Sequence, residues 1–326
     1  MMRIGIDLGG TNLRAAVFDD GTTPRWLHKE TIGADRRPET IIDKVAAVAE
    51  RLASDGTGPI PIGVGIAAML RDRAGHVARS PHLGWRDVAF GALLAKRLGS
   101  RFSLGVYNDV NAITWGEHVA GAARGCDHVL AVYVGTGIGG GLIVDGRLVE
   151  GATNCAGEIG HVKVRWDEAA APCQCGSRGC VEAYVGGSYI GKRIAAELPK
   201  HKKSRAIQLA GSLEAVTPSH VDEAAAEGDE WALGLWSELG PLLGVALGNA
   251  LALVNPQRLV LGGGLLSRTP TLYQLVETAA LLAAPTPILE AVTIVPAELG
   301  DEAGLVGAAA LAASGVSIIS AATAAA

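Results

Sequence analysis

Between Glu158 and Glu182 the chain carries four soft metal donors bracketed by two carboxylates. The first segment reads Glu158-Ile159-Gly160-His161, and the second reads Cys173-Gln174-Cys175-Gly176-Ser177-Arg178-Gly179-Cys180-Val181-Glu182. Three thiolates and one imidazole are the donor set of a tetrahedral structural zinc, which leaves no vacant position for a catalytic water. Cys173 and Cys175 sit one residue apart, the Gly176 to Gly179 turn lets Cys180 fold back on the same ion, and His161 joins from an adjoining segment. The pattern therefore predicts a zinc knot held by His161, Cys173, Cys175 and Cys180, built beside a polar binding site. Three ordinary buried cysteines with an unrelated histidine are the alternative, and the glycines at both bends argue against it.

A second set of residues suits phosphate chemistry. Asp7 closes a strand against a turn whose amides are bared by Gly9 and Gly10 and whose Thr11 adds a hydroxyl. Such a turn holds phosphoryl oxygens, and Asp7 holds the accompanying Mg²⁺, usually through water. Gly135-Thr136-Gly137 offers a similar cradle, and Gly262-Gly263-Gly264 at a strand end lets a nucleotide base or ribose approach the backbone. Each alone reads equally well as strand-end punctuation; in order, the three point to nucleotide phosphate binding. Asn108-Asp109 lies at another strand end, where open α/β sheets present ligand groups. Asp109 there is suited to take a proton from a sugar hydroxyl, although Asn-Asp before a helix also reads as a cap.

These groups need a frame of strands and helices. Arg3 to Asp7 and Leu13 to Phe18 flank the first glycine turn as a hairpin, not as the strand-to-helix unit of a dinucleotide fingerprint. Val129 to Val134 and Gly140 to Val144 repeat the design around the second turn. Helical periodicity marks Thr40 to Leu52, Val88 to Leu98 and Asn111 to Ala123, and Ile62 to Ile66, Ser103 to Tyr107, Arg258 to Leu261 and Val292 to Val295 read as strands. Further helices are expected from Val185, over Ser219 to Glu227, over Asp229 to Val254 and over Glu302 to Ala313, the last followed by a short tail to Ala326. Leu239 to Val254 is apolar, but Gly240, Gly244 and Gly248 at four-residue spacing and the stop at Asn255-Pro256 read as a close-packed helix rather than a membrane span.

At 326 residues, two domains are expected. The apolar share of 49%, the charged share of 19% and the 44 glycines suit a packed enzyme scaffold rather than disorder. A formal charge of −5 offers no electrostatic case for nucleic acid. Five cysteines, three of them clustered, suit a reducing compartment, and Met1-Met2-Arg3 leads straight into a strand without a signal-peptide pattern, so the cytoplasm is the expected location. The basic run Lys200-His201-Lys202-Lys203-Ser204-Arg205 reads as a solvated loop, with a polyphosphate donor site as the alternative.

Taken together the motifs resemble the ROK family of bacterial sugar kinases and sugar-responsive repressors, within the larger actin-like ATPase group. Asp7-Leu8-Gly9-Gly10-Thr11 resembles its first phosphate motif, Gly135 to Gly141 its second and Leu261 to Gly264 its adenosine motif, while the Glu158 to His161 and Cys173 to Cys180 segments resemble its zinc and sugar signature. The resemblance implies an α/β, ribonuclease H-like two-domain fold with an interdomain cleft, the smaller domain spanning about 1–110 plus 301–326 and the larger 111–300. It implies Asp109 as catalytic base, Asn108, Glu158, His161 and Glu182 as sugar ligands, ATP with Mg²⁺ as donor, and a homodimer. His161 would serve both zinc and sugar, one ring nitrogen for each.

Ser80-Pro81-His82-Leu83-Gly84-Trp85-Arg86-Asp87 is similar to a segment of the family's glucokinases and tilts the expected substrate toward glucose, with an N-acetylhexosamine or another hexose as the alternative. Two departures stand out: Ala67-Ala68-Met69-Leu70-Arg71 occupies the place of a proline- and glycine-rich turn, and His82 replaces a frequent asparagine. A sugar-responsive regulator would carry a helix-turn-helix region first, for which a phosphate hairpin starting at residue three leaves no room. A non-catalytic sugar-binding module would have no need of Asp7 and Asp109.

Overall fold

Apolar runs rich in Ile and Val, bounded by glycine, become the strands of this protein, and the periodic segments between them become its helices. The computed structural model describes residues 1–54 and 58–319. The strands of the first half are β1 (Arg3–Leu8), β2 (Asn12–Phe18), β3 (Trp26–Thr31), β4 (Ile60–Ile66), β5 (Met69–Leu70), β6 (Val77–Ser80), β7 (Trp85–Val88) and β8 (Phe102–Asn108). Those that follow are β9 (Val129–Val134), β10 (Ile138–Val144), β11 (Arg147–Leu148), β12 (Arg258–Gly262), β13 (Thr293–Pro296) and β14 (Ile318–Ile319). The helices are α1 (Pro38–Leu52), α2 (Phe90–Leu98), α3 (Asp109–Ala120), α4 (Glu182–Val185), α5 (Gly187–Glu197) and α6 (Arg205–Ala210). They continue as α7 (Pro218–Ala226), α8 (Glu230–Val254), α9 (Pro270–Ala283), α10 (Thr286–Leu289) and α11 (Ala303–Ala313).

Contacts divide the chain into two units, Met1–Asp127 with Gly141–Gly157 and Glu298–Ala326, and His128–Gly140 with Glu158–Ala297. In the first, a six-stranded sheet runs β14-β8-β4-β1-β2-β3, with β1, β4 and β8 mutually parallel and the β1–β2 hairpin antiparallel. A small sheet, β5-β6-β7, was not apparent in the sequence; it contains the segment leading to Trp85. Ile41, Val45 and Ala49 of α1 and Leu94 of α2 are fully buried in one core with Ile4, Ile6, Ile62 and Val64 of the sheet.

Helix α11 lies against β1, β4 and α3, where backbone meets backbone. A Cβ on Gly5 would fall 2.0 Å from the Leu305 carbonyl oxygen, one on Gly63 1.9 Å from that of Ala308, and one on Gly307 1.7 Å from that of Ala112 in α3. This packing explains why the observed division differs from the expected 1–110 with 301–326 against 111–300. Helix α3 belongs to the first unit because α11 clasps it, and Gly141–Gly157 joins it because Gly141 sits on the Thr114 side chain of α3, 2.0 Å from Oγ1 were a Cβ present. Residues 320–326 of the expected C-terminal tail lie outside the described residues. Because neither backbone can retreat, Gly307→Ala should cost about 3 kcal/mol, the upper range for overpacking. That should lower the thermal midpoint by roughly 6–12 °C. Gly234→Ala, where the α8 backbone has nothing within 4 Å of the added carbon, should be neutral or stabilising; equal midpoints for the two variants would contradict this account.

Strands β10 and β11 pair antiparallel. In the second unit β12 runs parallel to both β9 and β13. Trp236, Leu239, Leu243, Leu247 and Leu251 of α8 pack with Leu272, Val276 and Ala280 of α9 in its core. Helix α8 is the one described helix long and apolar enough to cross a membrane. In this fold Gly240, Gly244 and Gly248 instead seat it on Leu275, Ala279 and Ala283 of α9, as their spacing predicts.

Candidate active site

In the first unit the phosphate-type turn forms as the sequence predicts. Gly9 N donates to the Asn12 carbonyl at 3.0 Å, closing the β1–β2 hairpin, and Ile32 N donates to the Thr11 carbonyl at 3.0 Å. Asp7 faces Arg14 across the hairpin, with Arg14 Nη1 3.9 Å from Asp7 Oδ2 and Nη2 3.0 Å from Asp301 Oδ2. Burial pushes the Asp7 carboxyl up from its ordinary range, the Arg14 guanidinium opposes that shift and the Asp301 charge adds to it. A part-buried carboxylate flanked by a second one and aimed from a strand end suits a hydrated divalent cation.

Asn108 and Asp109 stand at the junction of β8 and α3, also in this unit. The Asn108 side chain caps the helix, its Oδ1 accepting from Val110 N at 2.9 Å and Asn111 N at 3.1 Å, while Nδ2 donates to the Ala68 carbonyl at 3.1 Å. The cap reading holds, and it leaves one Nδ2 hydrogen outside these bonds. Asp109, the first residue of α3, is half-buried, and its Oδ1 accepts from Val110 N at 3.0 Å. Ala68, in the segment that departs from the family pattern, is thus tied to Asn108.

In the second unit the other two glycine motifs come together. Gly262 pairs in register with Tyr133 on parallel β12 and β9, so the Gly262-Gly263-Gly264 turn and the Gly135-Thr136-Gly137 turn emerge side by side. Gly263 has φ +92°, and a Cβ there would lie 2.4 Å from the Val134 carbonyl, which leaves glycine as the residue that fits. Gly135 N donates to the Gly137 carbonyl at 2.9 Å, and the first residues of α5 brace the turn, Gly187 N on the Gly135 carbonyl and Ser188 N on that of Thr136, both at 2.9 Å.

The same unit assembles the sugar-type carboxylates around that turn. Glu182 Oε2 accepts from Ile138 N at 2.8 Å and would lie 2.5 Å from a Cβ on Gly137, while its Oε1 is 3.8 Å from Cys173 Sγ. His161 points Nδ1 at Cys173 Sγ, 3.8 Å away, and Nε2 at Glu158 Oε2, also 3.8 Å away. Burial raises the Glu158 carboxyl above its ordinary range, with His161 opposing and Glu182 adding.

The four expected metal donors converge. The donor atoms of His161, Cys173, Cys175 and Cys180 all lie within 4.8 Å of one another, with Cys175 Sγ and Cys180 Sγ 3.7 Å apart. Two sulfurs on a tetrahedral zinc with bonds of about 2.3 Å stand about 3.8 Å apart, the spacing of the Cys175–Cys180 pair. Gly176 at φ +92° and Gly179 at φ +76° make the two bends, the second so tight that a Cβ would strike the Arg165 carbonyl at 1.7 Å. Burial pushes the Cys173 thiol up to about 12.

Lys163 was missed in the sequence. Its ammonium donates to Cys180 Sγ at 2.9 Å and Ser177 Oγ at 2.6 Å, and the Cys180 contact raises its own affinity for a proton. Three thiolates on a Zn²⁺ would leave one surplus negative charge, and the Lys163 ammonium is placed to offset it. Its position two residues past His161 was the available signal. In the basic run 200–205 the three lysines are exposed, but the segment is less of a loop than expected: Lys200 ends a 3-10 turn, buried Ser204 caps α6, and Arg205, the first residue of α6, is held by Glu227 and Asp229.

A model of the ROK family matches residues 3–314, and the chain belongs to that family. It is 32% identical over 311 residues to a glucokinase of Thermotoga maritima, covering 94% of this chain and 96% of that protein. An N-acetyl-D-glucosamine kinase of Pectobacterium carotovorum subsp. carotovorum is also 32% identical, over 95% of this chain and 98% of its own length. Among solved structures, a ROK family glucokinase from Streptomyces griseus in complex with glucose and AMPPNP superposes with a TM-score of 0.78 at 30% identity, covering 96% of this chain and 100% of that one. The fold is accordingly that of the ROK sugar kinases, an actin-like ATPase fold, as the motifs predicted.

Proposed function

We propose that this protein is an ATP-dependent hexose kinase whose preferred acceptor is glucose, yielding glucose 6-phosphate. The observation that carries the reading is the contact of Glu182 with the second glycine turn: one carboxylate oxygen holds Ile138 N while the residue belongs to the Glu158–His161–Glu182 cluster. A hydroxyl-binding group and a phosphate cradle thus share a wall. The glucokinases of T. maritima and S. griseus support the acceptor, and AMPPNP in the latter supports an ATP donor.

In this reading Asn108, Glu158, His161 and Glu182 bind the sugar hydroxyls. Asp109 takes the proton of the hydroxyl as its oxygen attacks the terminal phosphorus and the bond to the leaving ADP oxygen breaks. The amides of Gly9, Gly10 and Thr11, and of Gly135, Thr136 and Gly137, receive phosphate oxygens, and Gly262, Gly263 and Gly264 admit the adenosine. Mg²⁺ supplies charge neutralisation for those phosphates, and Asp7 would hold it through water. A structural zinc on His161, Cys173, Cys175 and Cys180 would fix His161 and Glu182. The family resemblance also supports a homodimer, and a formal charge of −5 gives no electrostatic case for a nucleic-acid partner.

The N-acetyl-D-glucosamine kinase relative keeps a second acceptor in view. Glucose, mannose, fructose, N-acetylglucosamine and N-acetylmannosamine, each offered with ATP or polyphosphate and scored for sugar phosphate, should place glucose with ATP first in kcat/KM. An amino sugar that clearly exceeds glucose would replace the acceptor while leaving the kinase reading intact, and no turnover of any sugar would remove both.

A further inference from the structure

The loop between β3 and α1 lies over the first phosphate turn and delivers a cation there. Ile32 N bonds the Thr11 carbonyl, and four residues later Arg36 Nη1 donates to the Gly10 carbonyl. The Arg36 main chain is anchored in turn, its carbonyl accepting from Trp85 Nε1 at 2.6 Å. His82 also meets Gly10, its Cβ 2.7 Å and ring Nδ1 3.5 Å from where a Cβ at that glycine would lie. An imidazole and a guanidinium therefore both approach one residue of the turn.

The charge of Arg36 is uncommitted. Neighbouring Arg37 is paired with Asp35, Arg14 with Asp301, Arg71 with Asp87 and Arg73 with Glu150. Arg36 has, among the described residues, the Gly10 carbonyl as its side-chain partner and no carboxylate. A guanidinium carries five N–H donors, so a bond to one carbonyl leaves most of them for an anion. Holding such a group rigid on a phosphate turn costs side-chain entropy and leaves its charge without an internal partner, an arrangement that becomes favourable when phosphoryl oxygens arrive.

We propose that Arg36 is a further catalytic residue, whose guanidinium contacts the terminal phosphoryl group of ATP and stabilises the charge on its oxygens during transfer. The proposal rests on the kinase reading above. The electron flow is that of the transfer itself: the sugar oxygen forms the new bond to phosphorus, the bridging oxygen leaves on ADP, and Arg36 donates hydrogen bonds throughout without losing a proton.

The test compares Arg36→Met, which removes charge and donors at similar length, with Arg36→Lys, which keeps the charge. In Arg36→Met, kcat should fall by about 10²–10³-fold, the span for one preorganised donor to a developing oxyanion. Glucose affinity should hold, and AMPPNP should bind more weakly while AMP binds as before. Arg36→Lys should recover part of kcat and of the AMPPNP preference. If Arg36 merely braces the turn, Arg36→Met will weaken AMP and AMPPNP alike or leave kcat within about threefold, and either result overturns the proposal. Should Arg36→Met fail to fold, Arg36→Ala supplemented with guanidinium must regain turnover, and no rescue counts against it. The AMPPNP-against-AMP comparison needs no sugar, so it separates failure of this proposal from failure of the kinase reading, which wild-type turnover tests.

Discussion

Asp109→Asn should retain the fold and most of the sugar affinity while kcat falls by roughly two to four orders of magnitude, the span for a positioned general base. The isosteric amide can keep the bond from Val110 N, which an amide oxygen also accepts, and the helix cap is supplied by Asn108. What it loses is the capacity to accept the hydroxyl proton. A loss of that size corresponds to about 3–5 kcal/mol of transition-state stabilisation and should appear in kcat far more than in KM. Steady-state kinetics with glucose, together with a binding measurement on the variant, decide the matter. Near-normal turnover would remove Asp109 from the role, and a parallel loss of glucose binding would recast it as a sugar ligand.

Removing the zinc should do two kinds of damage at once. One ion per chain is expected by elemental analysis, and Cys175→Ser should lower both its occupancy and the thermal midpoint, the latter by about 10 °C for a loss of roughly 4 kcal/mol. Sugar binding should suffer with it, because the Nδ1 side of His161 faces the cluster and Glu182 follows Cys180 by two residues. Nucleotide contacts should suffer less: the Gly135 to Gly137 turn is braced independently by the first residues of α5, and Gly263 by its contact with Val134. Chelation should reproduce the effect, more readily as pH falls, since protons compete for the thiolates. Active, unchelated protein without zinc would sink the assignment, and so would a bound metal carrying an exchangeable water.

Several features of this site were legible as spacing. A Cys-x-Cys with glycines at both bends can close on one ion only by folding back on itself, and a strand–glycine–strand pattern can be little other than a hairpin with bared amides. The long apolar helix was legible too, because glycines four apart mark one face, and that face meets α9. Less visible were the short strands β5, β6 and β7, whose apolar residues are too few to show a period, and Lys163, an ordinary charged residue until the chain folds back upon Cys180.

Local chemistry thus determined the Cys173 to Cys180 fold-back, the three glycine turns and the strand-end position of Asp109, since each depends on neighbours within about ten residues. Only tertiary structure decided which unit owns α3, because that follows from Gly307 and Gly116 meeting backbone almost two hundred residues away. It likewise decided that the Gly262 turn lies beside the Gly135 turn, through a parallel register whose two strands are far apart in sequence. Such pairings are set by complementary surfaces rather than by any residue's own preference, and a surface exists only once both of its sides have folded.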